Sequence, residues 1–161
     1  SGATQQIAPL LRALPPEGVA SQYQVEVTGV EPMALRLRLA QRRYVAVIQS
    51  EIGEEQREFP AQADTRILEV DVAHHYYFLR DLREGSVTPA LEPRLRSHVE
   101  LRVDASSDEE LRLGQTVLAA RRVELTSGDD RRIVWFDRAG RVLRVEIPGR
   151  GYVAERVDLL R

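Results

Sequence analysis

The sequence predicts a mainly β fold: a single curved antiparallel sheet forming an open half-barrel, with one packed helix and a short N-terminal helix. Hydrophobic and polar residues alternate over most of the chain, which is the period of a strand with one buried face. Turn-forming residues separate these stretches at short intervals, as in antiparallel hairpins. The long helical crossovers that parallel strands require are missing from the pattern. A sandwich of two sheets is the alternative arrangement of the same strands.

The first segment has helical rather than alternating spacing. Between Thr4 and Leu14, apolar residues recur at the interval of a helix face, at Ile7, Leu10, Leu11 and Leu14. Pro9 lies inside this segment, so the helix is expected to begin near it. The Pro15-Pro16 pair then ends the helix, because proline lacks the amide that a continuing helix needs.

Most of the remaining chain is predicted as strands. Leu35 to Leu39 alternates with Arg36 and Arg38, and this pattern indicates a strand with one face in water. Leu95 to Val103 shows the same alternation and places Arg94, Arg96 and Arg102 on its wet face. The other predicted strands are Tyr23–Val27, Tyr44–Ile48, Ile67–Val72, Val117–Leu125 and Tyr152–Leu159.

The C-terminal third carries the strongest local signal. The segments 132–136 and 142–147 flank the turn sequence Asp137-Arg138-Ala139-Gly140. Asp suits the first position of a tight turn and Gly suits a later position with positive φ. A β-hairpin is therefore predicted here.

One segment interrupts the strands and predicts the packed helix. Asp71 is suited to an N-cap and Gly85 to the position after a helix end, so a three-turn helix is expected over Ala73–Glu84. Its bulky side chains Phe78, Leu79 and Leu82, with His75 and Tyr76 one turn before them, fall on one broad face that is expected to pack against the sheet.

Composition limits the classes of function. With 161 residues, 43% of them hydrophobic, the chain is expected to form a single β-rich domain over residues 1–161. All 23 basic residues are Arg, yet the net charge is −2, which argues against nucleic acid as a partner. No apolar run approaches the roughly 20 residues that span a bilayer. The chain has no Cys, which excludes disulfide and thiolate chemistry.

No motif indicates catalysis or a cofactor. His74 and His75 are adjacent, and neighbours on a helix point about 100° apart, so they are expected to be structural rather than metal ligands. A Gly-x-Ser-x-Gly elbow and a phosphate-binding loop are both missing. The acidic run Asp104–Glu110 lacks the ligand pattern of a calcium loop and is expected to be a solvated connection. We therefore expect no cofactor, no metal and no enzymatic activity.

The hairpin region resembles exported bacterial β-rich domains of unknown function. It contains a Trp-x-Asp-x-x-Gly-Arg-x-x-Arg pattern from Trp135 to Arg144, followed by a Pro-Gly turn and a last strand from Tyr152. The segment 67–77 is similar to the corresponding part of those domains. Some of them precede an α/β-hydrolase domain, and their shape is similar to lipoprotein-carrier and glycolipid-binding half-barrels. The resemblance implies an extracytoplasmic location, periplasmic or secreted, and a curved sheet.

These features favour a binding domain that holds an apolar or amphipathic ligand between sheet and helix. The residues expected to line its groove are Tyr76, Phe78, Leu79, Leu82 and Trp135. The alternative is an accessory domain that acts through a partner domain or protein, such as a hydrolase, to which exposed Arg rows would bind. An enzyme using His74, His75 or His98 with nearby carboxylates ranks third.

Overall fold

The computed structural model describes residues 4–14 and 19–159, and these residues are mainly β, with 66% in strands. Within this part of the chain there are twelve strands and three short 3-10 helices. The strands are β1 Gln5–Leu14, β2 Val19–Gly29, β3 Met33–Ala40, β4 Arg43–Ser50, β5 Gly53–Pro60, β6 Arg66–Ile67, β7 Val87–Glu92, β8 Ser97–Leu113, β9 Thr116–Ser127, β10 Asp130–Phe136, β11 Val142–Ile147 and β12 Tyr152–Glu155. The 3-10 helices are Ala73–Leu79, Pro148–Arg150 and Val157–Leu159.

The chain divides into two compact units. The first comprises Ser1–Val72 and Pro89–His98, and the second comprises Ala73–Thr88 and Val99–Arg161. That residues 1–161 form one domain stays a prediction.

The strands form two sheets, so the prediction of a single antiparallel sheet is wrong. The five-stranded sheet has the order β1-β2-β3-β4-β5, and the seven-stranded sheet has the order β12-β11-β10-β9-β8-β7-β6. β6 pairs with β7 in parallel, so the second sheet is mixed. One of the two sheets curls into a half-barrel, which confirms that part of the expectation. The number of sheets depends on which distant segments pair with each other. The local alternation of hydrophobic and polar residues does not indicate this pairing.

The five-stranded sheet buries one face in the first unit. On β2 the residues Tyr23 and Val25 point into the core, and on β3 and β4 the residues Leu37 and Tyr44 do so. Ile67 of β6 and Leu91 of β7 belong to the same apolar cluster. Because side chains alternate across a strand, the residues between these positions lie on the opposite face.

The predicted N-terminal helix is wrong, because residues 5–14 form strand β1. This strand pairs antiparallel with β2, with Ile7 opposite Val27 and Leu11 opposite Tyr23. Leu10 and Leu14 point away from the core and are 49% and 51% exposed. Pro9 is tolerated because β1 is an edge strand of its sheet. Pro15-Pro16, expected to end the helix, lie outside the described residues.

The predicted helix over Ala73–Glu84 is shorter and of another type. Ala73–Leu79 is a 3-10 helix, and the chain leaves it through i→i+3 bonds, such as that from the Leu82 N–H to the Leu79 carbonyl at 3.1 Å. Asp71 has a left-handed φ of 62° rather than the extended backbone of an N-cap. The Arg121 side chain of β9 donates to the carbonyls of Arg80 and Leu82 at 2.9 and 2.8 Å. In the predicted α-helix the Arg80 carbonyl would instead accept from the Glu84 N–H within the helix.

The predicted hairpin is confirmed in the second unit as β10 and β11. At its turn, Asp137 Oδ1 accepts hydrogen bonds from the backbone N–H groups of Ala139 and Arg141, both at 2.9 Å. Gly140 adopts a φ of 77°, the conformation for which the sequence placed a glycine there.

Three other segments differ from prediction. The segment Ile67–Val72 contributes only its first residue to strand β6. The acidic run Asp104–Glu110 is part of the long strand β8 rather than a connection. The last strand, predicted over Tyr152–Leu159, ends at Glu155.

Candidate functional site

The predicted groove residues on and after the Ala73–Leu79 helix are mostly part of the packing. Tyr76 and Leu79 are buried, with 3% and 1% exposure, while Phe78 and Leu82 are half-buried. The Tyr76 hydroxyl accepts a hydrogen bond from Arg132 Nη1 at 3.1 Å. Arg132 is itself fully buried and donates to Asp130 Oδ2 from Nη2 at 2.7 Å.

Trp135 lies on the other face of β10 from the residue that contacts Tyr76. Arg132 and Trp135 are three positions apart in an unbroken register with β9, so their side chains project to opposite sides of the strand. Trp135 packs with Leu111 and Leu113 of β8, and its Nε1 donates to Glu109 Oε1 at 2.6 Å. The five predicted residues therefore do not line one common surface.

The histidines give no arrangement for catalysis or metal binding among the described residues. His75 is fully buried, and burial lowers its pKa to about 3. His74 meets it edge to face with ring centroids 4.9 Å apart, and burial also lowers the pKa of His74. His98 lies beside Phe59, with ring centroids 6.3 Å apart. Within residues 4–14 and 19–159, no group of three or more His, Cys, Asp or Glu side chains is placed to hold a metal ion.

A buried polar cluster in the first unit is closed to solvent. Glu69 and Arg94 form an ion pair at 3.2 Å with side-chain exposures of 0% and 8%. Burial raises the pKa of Glu69, and burial together with the adjacent Glu69 raises the pKa of Tyr23. Because these side chains are almost fully buried and Glu69 is paired with Arg94, we assign the cluster to the packing of the core.

One face of the five-stranded sheet is instead open and chemically varied. We call it the outer face, since it is opposite the core. The strand registers align its side chains in two neighbouring rows across the sheet. The first row is Arg12, Gln22, Arg38, Val45 and Glu58, and the second is Leu10, Gln24, Arg36, Val47 and Gln56.

These rows line an open concavity of about 410 Å³, which we call the cavity. Its lining includes both apolar side chains and polar ones, and it lies within the range of about 300–1,000 Å³ typical of small-molecule sites. The outer-face residues that line it are Leu10, Arg12, Gln22, Gln24, Arg36, Arg38, Val45, Val47 and Gln56.

The three outer-face arginines have no acidic partner in the described part of the chain. Arg12, Arg36 and Arg38 are exposed, and none of them forms an ion pair or a side-chain hydrogen bond with another described residue. These three guanidinium groups are therefore free to form charge-assisted hydrogen bonds with a bound anion.

The second predicted Arg row differs in this respect. Arg94 is buried on Glu69, Arg96 pairs with Glu55 at 2.9 Å, and Arg102 pairs with Asp104 at 2.7 Å. These arginines already form ion pairs within the protein. Of the two predicted Arg rows, the one that contains Arg36 and Arg38 is therefore the one available to bind a ligand or a partner.

A second concavity, of about 480 Å³, lies in the second unit near the β10–β11 turn. Most of its charged groups are bonded to the protein itself, Asp108 and Arg138 being the exceptions among the described lining residues. Glu109 accepts the Trp135 indole N–H, Asp137 is held by its turn, and Arg121 is bound to two carbonyls. Arg80 stacks on Tyr77 at 3.9 Å from the ring centroid. We therefore take the outer face, rather than this concavity, as the candidate site.

The sequence predicted some residues of the outer face but not others. Alternation had predicted that Arg36 and Arg38 face solvent. Leu10 and Arg12 were missed because their segment was expected to be a helix. The usable signal was Pro9, which disfavours the interior of a helix but is compatible with an edge strand.

No helix in the described residues has the length and apolar character required to cross a membrane. Comparison of the chain with family models, with curated proteins and with solved structures gave no match.

Proposed function

We propose that the protein is a non-enzymatic, extracytoplasmic binding domain for an amphipathic ligand, and that the outer face of the five-stranded sheet is its binding site. The observation that carries this proposal is the 410 Å³ cavity in which apolar and cationic side chains lie next to each other. The location differs from the sequence-based expectation of a groove against the predicted Ala73–Glu84 helix, a segment in which Tyr76 and Leu79 are buried.

The apolar part of the face is suited to a hydrocarbon group. Val45 and Val47 are half-buried and Leu10 is 49% exposed, so all three still present apolar surface to water. Covering such surface is favourable by about 25 cal/mol per Å². Gln22, Gln24 and Gln56 surround it with amide donors and acceptors. This combination is typical of sites that bind one orientation of a ligand.

The residue types favour binding over catalysis. The outer-face side chains that line the cavity are guanidinium, amide and aliphatic groups. Among these described residues there is no histidine, carboxylate or hydroxyl nucleophile to transfer a proton or attack a substrate. The face can therefore hold and orient a ligand without reacting with it.

Mass spectrometry of the purified protein tests the proposal. A small molecule that is present in the native spectrum and lost on denaturation, and that is identified as an amphiphile, would support it. The variant Val47→Glu should purify without that molecule, because a carboxylate would occupy the apolar strip. Val117→Glu is the matched control, since Val117 is 46% exposed on β9 in the second unit. A molecule retained equally by both variants would contradict the proposed site.

The second candidate function is an accessory domain that binds a partner protein. The unpaired state of Arg12, Arg36 and Arg38 among the described residues favours it, because an acidic partner surface would neutralise them. A clean apo mass, together with salt-sensitive binding of a polyglutamate peptide that Arg36→Gln abolishes, would favour this function over the first.

A further inference from the structure

We infer that the outer face selects an anionic amphiphile, one whose headgroup is a carboxylate or a phosphate and whose apolar chain lies over Val45 and Val47 of β4. This inference rests on the proposed function and specifies the chemistry of its ligand.

The three arginines are close enough to share one anionic group. Arg36 and Arg38 lie on the same face of β3, about 7 Å apart along the strand. Arg12 of β1 is in register with Gln22 of β2 and, through it, with Arg38. Two strand spacings place Arg12 about 10 Å from Arg38 at the backbone. The flexible side chains can reach a group placed between them.

Charge repulsion keeps this site unfavourable while it is empty. Arg36 and Arg38, about 7 Å apart, lie within the Debye length of about 8 Å at physiological ionic strength and repel each other, whereas Arg12, about 10 Å from Arg38, is partly screened and adds less. No carboxylate of the described residues relieves this repulsion through an ion pair. An anion would remove it and would accept charge-assisted hydrogen bonds from the guanidinium groups. The amide groups of Gln22 and Gln24, on the neighbouring strand, offer further donors.

The registers also place the apolar residues directly beside the arginines. Arg36 is opposite Val47, and Arg38 is opposite Val45, so the change from charge to hydrocarbon occurs between β3 and β4. A ligand with its headgroup over β3 would therefore place its chain over the two valines, which follow each other on one face of β4. The chain would lie along β4, short of Glu54, Gln56 and Glu58 on the outer face of β5.

The same face disfavours an acidic protein as the occupant. Next to the cavity, the outer face carries the exposed carboxylates Glu26, Glu54 and Glu58. A stable protein interface covers about 800 Å² on each partner, and an acidic surface of that size would be repelled by these carboxylates. A small amphiphile over β3 and β4 can contact the arginines without lying over these carboxylates.

The test is isothermal titration of the intact chain with three ligands of equal chain length, each below its micelle concentration. The ligands are decanoate, decyl phosphate and the neutral decyl maltoside. We expect at least one anionic ligand to bind about tenfold or more tightly than the neutral one, the effect of one charge-assisted hydrogen bond. The two anionic ligands distinguish a carboxylate from a phosphate headgroup.

Variants separate the contribution of charge from that of fold. In Arg36→Gln/Arg38→Gln the anionic ligands should lose at least tenfold in affinity, while the neutral ligand is unaffected. The control Arg112→Gln/Arg138→Gln removes the same charge from exposed positions of the second unit and should leave both affinities unchanged. Circular dichroism and thermal melts confirm that each variant is folded.

The outcomes distinguish this inference from the proposed function. Equal binding of neutral and anionic ligands would overturn the anionic headgroup while leaving an amphiphile site in place. Binding of none of the three ligands would overturn both proposals. Equal losses in the two double variants would also overturn the inference, since the effect would then come from net charge. Binding of inorganic phosphate as tightly as decyl phosphate would show an anion site without a role for the apolar strip, and would overturn it too.

Discussion

The Arg121 side chain is expected to be one of the strongest single stabilising contacts of the second unit. Its guanidinium donates to the carbonyls of Arg80 and Leu82 at 2.9 and 2.8 Å, directly after the Ala73–Leu79 helix. Arg121→Met keeps the length and much of the apolar stem of the side chain, but it removes both hydrogen bonds. The two carbonyls then lose their partner.

The size of the effect follows from the number and environment of these bonds. A hydrogen bond with a charged donor contributes about 1.5–3 kcal/mol. Arg121 is half-buried, so competition from solvent lowers the contribution to the bottom of this range or slightly below it, at about 1–1.5 kcal/mol for each bond. The free energy of unfolding should therefore fall by about 2–3 kcal/mol. For a chain of this size, that corresponds to a decrease of roughly 4–12 °C in Tm.

Denaturant unfolding of Arg121→Met and of Arg112→Met measures the difference. Arg112 is an exposed residue of β8, and its replacement should change stability by no more than about 0.5 kcal/mol. Hydrogen exchange should also show faster exchange of the Arg80 and Leu82 amides, which bond to Tyr77 and Leu79. Equal stability of the two variants would refute the assignment of Arg121 as a clamp.

Three further predictions concern the pH dependence and the core. Because the pKa of His75 is about 3 in the folded chain against an ordinary value of 6.5, its contribution to stability is complete above pH 6.5 and is lost as the pH falls. At pH 5 the free energy of unfolding should be about 2 kcal/mol lower than above pH 6.5. His75→Gln should reduce this pH dependence of stability, as measured by urea unfolding at several pH values. An unchanged pH dependence would show that other groups cause it. Tyr44→Phe removes the buried bond from the hydroxyl to the Ala20 carbonyl at 3.0 Å, and urea unfolding should show a cost of about 1–2 kcal/mol. The exposed Tyr77→Phe is its control, and equal costs would contradict the reasoning. Gly29→Ala should lower the free energy of unfolding by at least about 2 kcal/mol, because φ is 98° and a Cβ would lie 2.2 Å from the Thr4 carbonyl oxygen. Gly128→Ala, where a Cβ would meet no atom within 4 Å, is the control and should lower it less in thermal melts.

Local signals were sufficient for some elements of the fold. The β10–β11 hairpin depends on Asp137 and Gly140, whose roles are decided within four residues of chain. The same locality explains the error in β1. Ile7, Leu10, Leu11 and Leu14 fit a helix, but pairing with β2 fixed the period at two and left Leu10 and Leu14 exposed.

Features that depend on distant pairing were not predictable from one sequence. The division into two sheets and the parallel β6–β7 pair arise from contacts between remote segments. The candidate site shows the same limit. Alternation alone places Arg36 and Arg38 on a wet face, but bringing Arg12 into their row requires the registers of β1 with β2 and of β2 with β3.

The edges of the five-stranded sheet have a consequence for how the protein can associate. One edge is β1, where Pro9 offers no amide to an incoming strand. The other edge is β5, whose sequence Gly-Glu-Glu-Gln-Arg-Glu-Phe-Pro is rich in charge. Both features discourage extension of a sheet by a strand from another molecule, as occurs in fibrils. The sheet is therefore protected against open-ended growth at its edges, and its outer face remains the part through which it can take up another molecule.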